Sequence, residues 1–131
     1  MPRSRRHYRI TLGDILSAHE VALSYGGMPG IHSLALIQSA IARPYSGYYR
    51  RMAQKSAALV QSVATNHGFL DGNKRTTLIL VKTLLDKSGY VLFANGNVDR
   101  PLENIILGIV GRQLGFDDLV QWFEARLRKK A

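Results

Sequence analysis

His67-Gly68-Phe69-Leu70-Asp71-Gly72-Asn73-Lys74-Arg75-Thr76 sets a histidine, a carboxylate, two glycines, an asparagine and two adjacent cations directly before the apolar run Thr76-Thr77-Leu78-Ile79-Leu80-Val81-Lys82-Thr83-Leu84-Leu85. A segment apolar on nearly every side reads as a central buried helix, stopped by Ser88-Gly89. Thr, Ile and Val would also suit a buried strand, but the polar loop ahead and the Asp86-Lys87-Ser88-Gly89 stop signal behind favour helix. Such a helix presents unpaired backbone N–H groups and its positive dipole end at Gly72 to Arg75, a ready site for anions such as phosphate.

Outward from this centre the apolar spacing is helical on both sides. Towards the amino terminus, Tyr8-Arg9-Ile10 reads as a short extended arm. Thr11-x-x-Asp14 has the form of a capping box, and Leu12, Ile15, Leu16, His19 and Leu23 give a first helix from about Leu12 to Ser24. Gly26-Gly27-Met28-Pro29-Gly30 breaks the chain. Leu34, Leu36, Ile37, Ala40 and Ile41 form a second stripe that ends before Pro44. A polar, aromatic loop follows from Arg43 to Arg51, and then a third helix with Ala53, Ala57, Leu59, Val60, Val63 and Ala64 inward, ending near Asn66.

Beyond the central helix, Asn95-Gly96-Asn97 makes a turn. Asp99 is expected as an N-cap with Pro101 in the first turn, ahead of Leu102, Ile105, Ile106, Ile109 and Val110. Gly115 closes that helix. Asp117 or Asp118 is expected to cap a last one carrying Leu119, Val120, Trp122, Phe123 and Leu127, with Trp122 and Phe123 in the core. The expectation is one all-α domain over residues 1–131, about six helices around a central buried helix, with basic tails at about 1–9 and 126–131.

Composition supports that scale. The 131 residues are 46% apolar and 21% charged, enough for one core. No window approaches the roughly 18 apolar residues that span a bilayer, and the Arg-rich start lacks a signal peptide's apolar stretch, so no membrane association and a cytoplasmic location are expected. The absence of cysteine excludes thiolate catalysis and Cys-based metal sites. The net charge of +9 invites a nucleic-acid reading. Yet Arg3, Arg5, Arg6 and Arg9 lie at one end and Arg126, Arg128, Lys129 and Lys130 at the other, a distribution that suits solvated or acidic-partner-binding tails better than a groove reader.

Chemistry concentrates in the loop. Gly68-x-x-x-Gly72-Asn73-Lys74-Arg75-Thr76 brushes against the nucleotide P-loop but fails it: the glycine spacing is one short, Asn73 intervenes, and no Ser or Thr follows the lysine directly. The physics survives without the motif. Gly72 lets backbone approach a polyphosphate, Asn73 offers an amide donor, and Lys74 and Arg75 supply charge. Asp71 is placed to hold Mg²⁺ whose octahedron phosphate oxygens and water complete. Histidine titrates near neutrality, which makes His67 the candidate base for a hydroxyl proton. The grouping points to transfer of a phosphate-containing group from a nucleotide to a hydroxyl.

His67-x-Phe69-x-Asp71-Gly72-Asn73-Lys74-Arg75 resembles the H-x-F-x-[DN]-[AG]-N-K-R motif of the death-on-curing toxins, the Doc branch of the Fic superfamily. His19-Glu20 before Tyr25-Gly26-Gly27, then Gly30-Ile31, Ile41-Ala42-Arg43-Pro44 and Gly89-Tyr90, look like further landmarks, so the likeness runs from about Tyr8 to Leu127. It implies the all-α Fic/Doc fold, His67 as the activating base, Phe69 as the anchor of the loop, Asp71 as Mg²⁺ ligand, and Gly72, Asn73, Lys74 and Arg75 around the phosphates of ATP. AMP-transferring relatives usually carry Gly where this chain has Lys74. Doc-like members with the lysine resemble a protein kinase acting on translation elongation factor Tu, so the likeness implies a toxin that arrests translation by phosphoryl transfer.

The resemblance also implies a Phd-like antitoxin, since no inhibitory [ST]-x-x-x-E-[GN] segment stands out in the chain, with operon DNA reached only through that antitoxin. His32-Ser33 stands where many relatives have an Arg-Asp pair and Gln38 where they have an acidic residue, and Gly68 replaces a proline common in AMP-transferring relatives, which would loosen the loop slightly. AMP transfer by the same loop and a catalytically silent nucleotide- or DNA-binding module are the alternative readings. Tyr45, Tyr48 and Tyr49, with Arg50 and Arg51, read either as a target-docking flap or as partly buried surface aromatics. His7, His19 and His32 lack the company of His67 and read as structural or surface residues.

Overall fold

A computed structural model describes residues 7–131. Arg3, Arg5 and Arg6 of the expected basic tail lie outside the described residues. Six α-helices follow in order: α1 (Leu12–Leu23), α2 (Leu34–Ala42), α3 (Met52–Thr65), α4 (Asn73–Lys87), α5 (Asp99–Val110) and α6 (Phe116–Arg126), with a 3₁₀ turn at Arg43–Tyr45. The expectation of an all-α protein around a central helix holds. α4 packs against α3, α1 and α5, and α6 covers another side of α3.

Patterning explains the layering. Ala57, Ala58, Leu59 and Val60 on α3 are wholly buried, as are Leu80, Val81 and Leu84 on α4. Burying a Leu or Val side chain contributes on the order of 1.5–3 kcal/mol, so this pair of helices dominates the apolar core. Leu78 and Ile79 of the apolar run are only half-buried, because they wall a cleft rather than fill the core. In α2, Ile37, Ala40 and Ile41 face inward, while Leu34 and Leu36 stand exposed, so the second stripe is narrower than its apolar count suggests.

The ends of the elements correct several expectations. Thr11 caps α1 through the reciprocal pair with Asp14 anticipated from Thr-x-x-Asp. Asp99 is not a cap: Val98 holds that position, Asn97 Oδ1 accepts the Asp99 N–H at 2.9 Å, and the Asp99 carboxylate pairs with Lys82 at 2.6 Å. Gly115, not Asp117 or Asp118, is the N-cap of α6, and Asp118 Oδ2 accepts its N–H at 2.8 Å. Phe123 is fully buried, whereas Trp122 is half-buried with Arg126 stacked over its ring at 4.4 Å.

The largest difference is at the carboxyl end. Leu127 does not belong to α6 and residues 126–131 do not form a free tail. Strand β1 (Tyr90–Leu92) pairs antiparallel with β2 (Leu127–Lys129), Tyr90 opposite Lys129 and Leu92 opposite Leu127. The Lys130 N–H donates to the Gly89 carbonyl at 2.9 Å and its ammonium pairs with Asp86. Helical spacing in so short a segment carries no signal against a strand, and the backbone partner supplied by Tyr90–Leu92 decides the outcome. At the other end the extended arm delivers the Tyr8 N–H to Ser88 Oγ at 2.9 Å.

Candidate active site

The loop His67–Gly72 is held from three sides. Gly68, buried against α2, gives its carbonyl to the His32 N–H at 2.9 Å and the Ser33 N–H at 3.0 Å. A Cβ there would meet Ile37 Cγ1 at 2.5 Å, so glycine is demanded by packing, and the loosening expected from the missing proline is offset by these bonds. The Leu70 N–H reaches the Gly30 carbonyl at 3.1 Å, and an isolated β-bridge joins Ile31 to Phe69.

Phe69 is the anchor in a literal sense: it is buried, and its ring lies 3.7 Å from that of His19 at an interplanar angle of 11°. His19 Nε2 in turn meets the Asp71 carbonyl at 2.9 Å. His19 sits on the inward stripe of α1, but nothing in its neighbourhood in sequence announced that it would position a loop more than fifty residues away. Its helical spacing and its place in the His19-Glu20 landmark were the available signals.

Asn73 closes the loop onto the helix. Its Oδ1 accepts the Phe69 N–H at 3.2 Å and its Nδ2 donates to the Phe69 carbonyl at 3.0 Å. One of the two Nδ2 hydrogens is thereby spent, and the other, together with the Asn73 backbone N–H, is left for a ligand. Gly72, at φ +80, caps α4 and turns the chain so that its carbonyl starts the helix by accepting the Thr76 N–H. The N–H groups of Asn73, Lys74 and Arg75 have no acceptor among the described residues. These are the orphan donors of a helix amino terminus.

Electrostatics follows the same layout. The N–H groups of Met28 and Gly72 donate to the Asp71 carboxylate at 3.1 and 2.8 Å, and they hold it below the usual carboxylate range. Gly27 makes room for it, since a Cβ there would lie 3.1 Å from Asp71 Oδ2. Lys74 and Arg75 stand exposed in the first turn and form no salt bridge among the described residues; the Lys74 charge helps to lower the Asp71 pKa, and the Arg75 guanidinium lies 4.3 Å over the Tyr25 ring. Two cations at the positive end of a helix are mutually unfavourable without an anion. His67 is exposed at φ +52, a conformation that costs a non-glycine residue on the order of 1 kcal/mol.

A cleft of about 680 Å³ collects His67, Asp71, Gly72, Asn73, Lys74 and Arg75 at one end and runs between α4 and α5, walled by Leu78, Ile79 and Ile106, to the Lys82–Asp99 pair. Its volume lies in the range of small-molecule sites. Asp71 contributes a single carboxylate, and among the described residues no group of three His, Asp or Glu side chains could cage a metal ion. That donor set fits a hard cation carried in by a polyphosphate rather than a resident one. Tyr45, Tyr48 and Tyr49 do not line this cleft. The Tyr45 hydroxyl links Ile10 and Tyr8, Tyr49 accepts from Arg43, and Tyr48 is exposed.

Fold and site together define an all-α domain whose central helix opens onto an anion-receptive cleft carrying a histidine and a carboxylate. The profile of the Fic/DOC family matches residues 9–85, more than half of the sequence, which takes in α1 to α3 and α4 as far as Leu85. The chain belongs to the Fic/DOC family. It is similar to Toxin Doc of Mycolicibacterium smegmatis (strain ATCC 700084 / mc(2)155), 35% identical over 111 residues that cover 81% of this chain and 83% of that protein. No helix among the described residues is long and apolar enough to cross a membrane.

Proposed function

We propose that this protein is a toxin enzyme of a toxin–antitoxin pair that transfers the γ-phosphoryl group of ATP to a hydroxyl of a protein target, elongation factor Tu being the first candidate. The observation that carries the reading is the coincidence, at one helix terminus, of three unpaired N–H groups, two cations outside any salt bridge among the described residues, an ionised Asp71 and His67. Backbone donors and Lys74 hold phosphate oxygens, and Arg75, steadied on Tyr25, adds charge. His67 takes the proton of the target hydroxyl as that oxygen bonds to phosphorus and the bond to the leaving ADP oxygen breaks. A Mg²⁺ ion on Asp71 would neutralise charge on the phosphates.

Lys74 supports phosphoryl over AMP transfer, because it adds a cation where AMP-transferring relatives carry glycine. Similarity to a toxin supports growth inhibition, restrained by a separate Phd-like antitoxin. The test is to incubate the chain with Mg²⁺, bacterial lysate and ATP labelled on the α- or the γ-phosphate. The expected result is γ-label on one protein, lost in His67→Ala and in Asp71→Asn. Label from α would make it an AMP transferase, and no label with salt-dependent DNA binding would make it a binding module.

A further inference from the structure

A second cleft, of about 710 Å³, lies across the carboxyl-terminal end of α3 from the first, between α2 and the end of α5. Two arginines, Arg43 and Arg112, line it together with Ser39, Gln61, Thr65 and Asn66, and no Asp or Glu does. Arg43 is held in place: its guanidinium lies 5.4 Å from the rings of both Tyr49 and Phe116, and its Nε donates to the Tyr49 hydroxyl at 3.1 Å. Its two terminal nitrogens have no acceptor among the described residues. A guanidinium fixed through one nitrogen and two rings, with its fork unspent, is preorganised for a carboxylate or phosphate.

Arg112 supplies an independent observation. It follows α5 at φ +61, one of only two non-glycine residues with positive φ among the described residues, the other being His67. This is the left-handed position after a helix where glycine is the usual choice. The sequence instead puts Gly111 one residue earlier, in an ordinary conformation, and an exposed arginine in the strained place. The turn is built to keep it there: the N–H groups of Gln113 and Leu114 both donate to the Gly108 carbonyl, and the missing Cβ of Gly108 leaves space for Leu114.

We propose that this cleft docks an acidic, extended segment of the protein substrate. Five of its eleven lining residues are exposed and only Ser62 and Ile109 are buried, which suits a peptide laid along the surface better than an enclosed metabolite, and Gln61 and Asn66 carry amides that can pair with its backbone. Asn66 directly precedes His67, so a segment seated here enters the chain next to the proposed base. The identity of the occupant as substrate rests on the proposed transfer reaction; the binding itself does not.

The experiment is fluorescence anisotropy of a labelled oligoglutamate peptide at near-physiological salt, where long-range attraction to net charge is screened. Binding should weaken about tenfold in Arg112→Gly, which suits φ +61, and in Arg43→Gln, and stay unchanged in Lys129→Gln, an equal charge loss elsewhere. The peptide should also inhibit labelling of the protein target competitively. Equal loss in Lys129→Gln, no loss in Arg112→Gly, displacement by inorganic phosphate at lower concentration than by peptide, or binding without inhibition would each overturn the proposal. A chain that binds the peptide as expected but transfers no label from any nucleotide overturns the transfer reaction and the substrate assignment, and leaves the anion cleft standing.

Discussion

His19 lies flat on Phe69 at 3.7 Å and at the same time meets the Asp71 carbonyl with Nε2 at 2.9 Å, so one α1 side chain fixes both the buried and the exposed halves of the loop. His19→Phe keeps the stack and abandons the carbonyl, which should cost about 1–2 kcal/mol. His19→Ala also opens a cavity and should cost about 2–4 kcal/mol. Urea unfolding of both variants checks the order, and a smaller loss in the alanine variant would refute it.

Gly68→Ala should destabilise the fold by about 1–3 kcal/mol, because the added methyl is driven into Ile37 and its backbone. Gly47→Ala is the instructive companion. Unlike Gly68 it has positive φ, and a Cβ there meets nothing within 4 Å, so its cost is limited to backbone strain. Thermal melts that rank Gly47→Ala below Gly68→Ala would contradict the packing argument.

Asp14 links stability to acid. Burial alone would raise its pKa, but bonds from the Thr11 N–H and the Tyr8 hydroxyl, with Lys87 3.8 Å away, outweigh that and leave it below the ordinary carboxylate value. A depressed folded pKa means stabilisation fully present above the unfolded pKa of about 4 and lost as pH falls through the folded value. Tm should therefore drop below about pH 4, and the gap between wild type and Asp14→Asn should narrow over that window. A gap that widens on acidification would show the sign to be wrong.

Deleting residues 127–131 removes the β2 ladder, the Leu127 packing and the Lys130 bonds to Gly89 and Asp86. The expected loss is about 2–3 kcal/mol by urea unfolding, with α1 to α6 retained by circular dichroism. By contrast, Glu124→Gln, which breaks an exposed pair with Arg51, should change stability by no more than about 1 kcal/mol.

Reading helices from apolar spacing worked where burial is one-sided and long, as in α1, α3 and α5. It failed in the residues whose role is set by distant partners. Leu127 became a strand because Tyr90–Leu92 offered unpaired backbone, and Leu78 and Ile79 wall a cleft because α5 stands off from them. The grouping of the loop's residues was legible because they are contiguous. Two parts of the site were not: His19, brought in from α1, and the use of the Asn73 amide to tie the helix to the Phe69 backbone.

Tyr8 and Lys130 hydrogen-bond to consecutive residues, Ser88 and Gly89, at the far end of α4 from Gly72. α4 has 15 residues, so it separates these moorings from the loop by about 22 Å. Residues 8 and 130 therefore meet at the pole of α4 opposite the loop. A short linker between residues 8 and 130 would close the chain into a ring, and new termini cut at the open Gly96 turn would give a circular permutant in which every loop contact to His67, Asp71 and Lys74 is untouched.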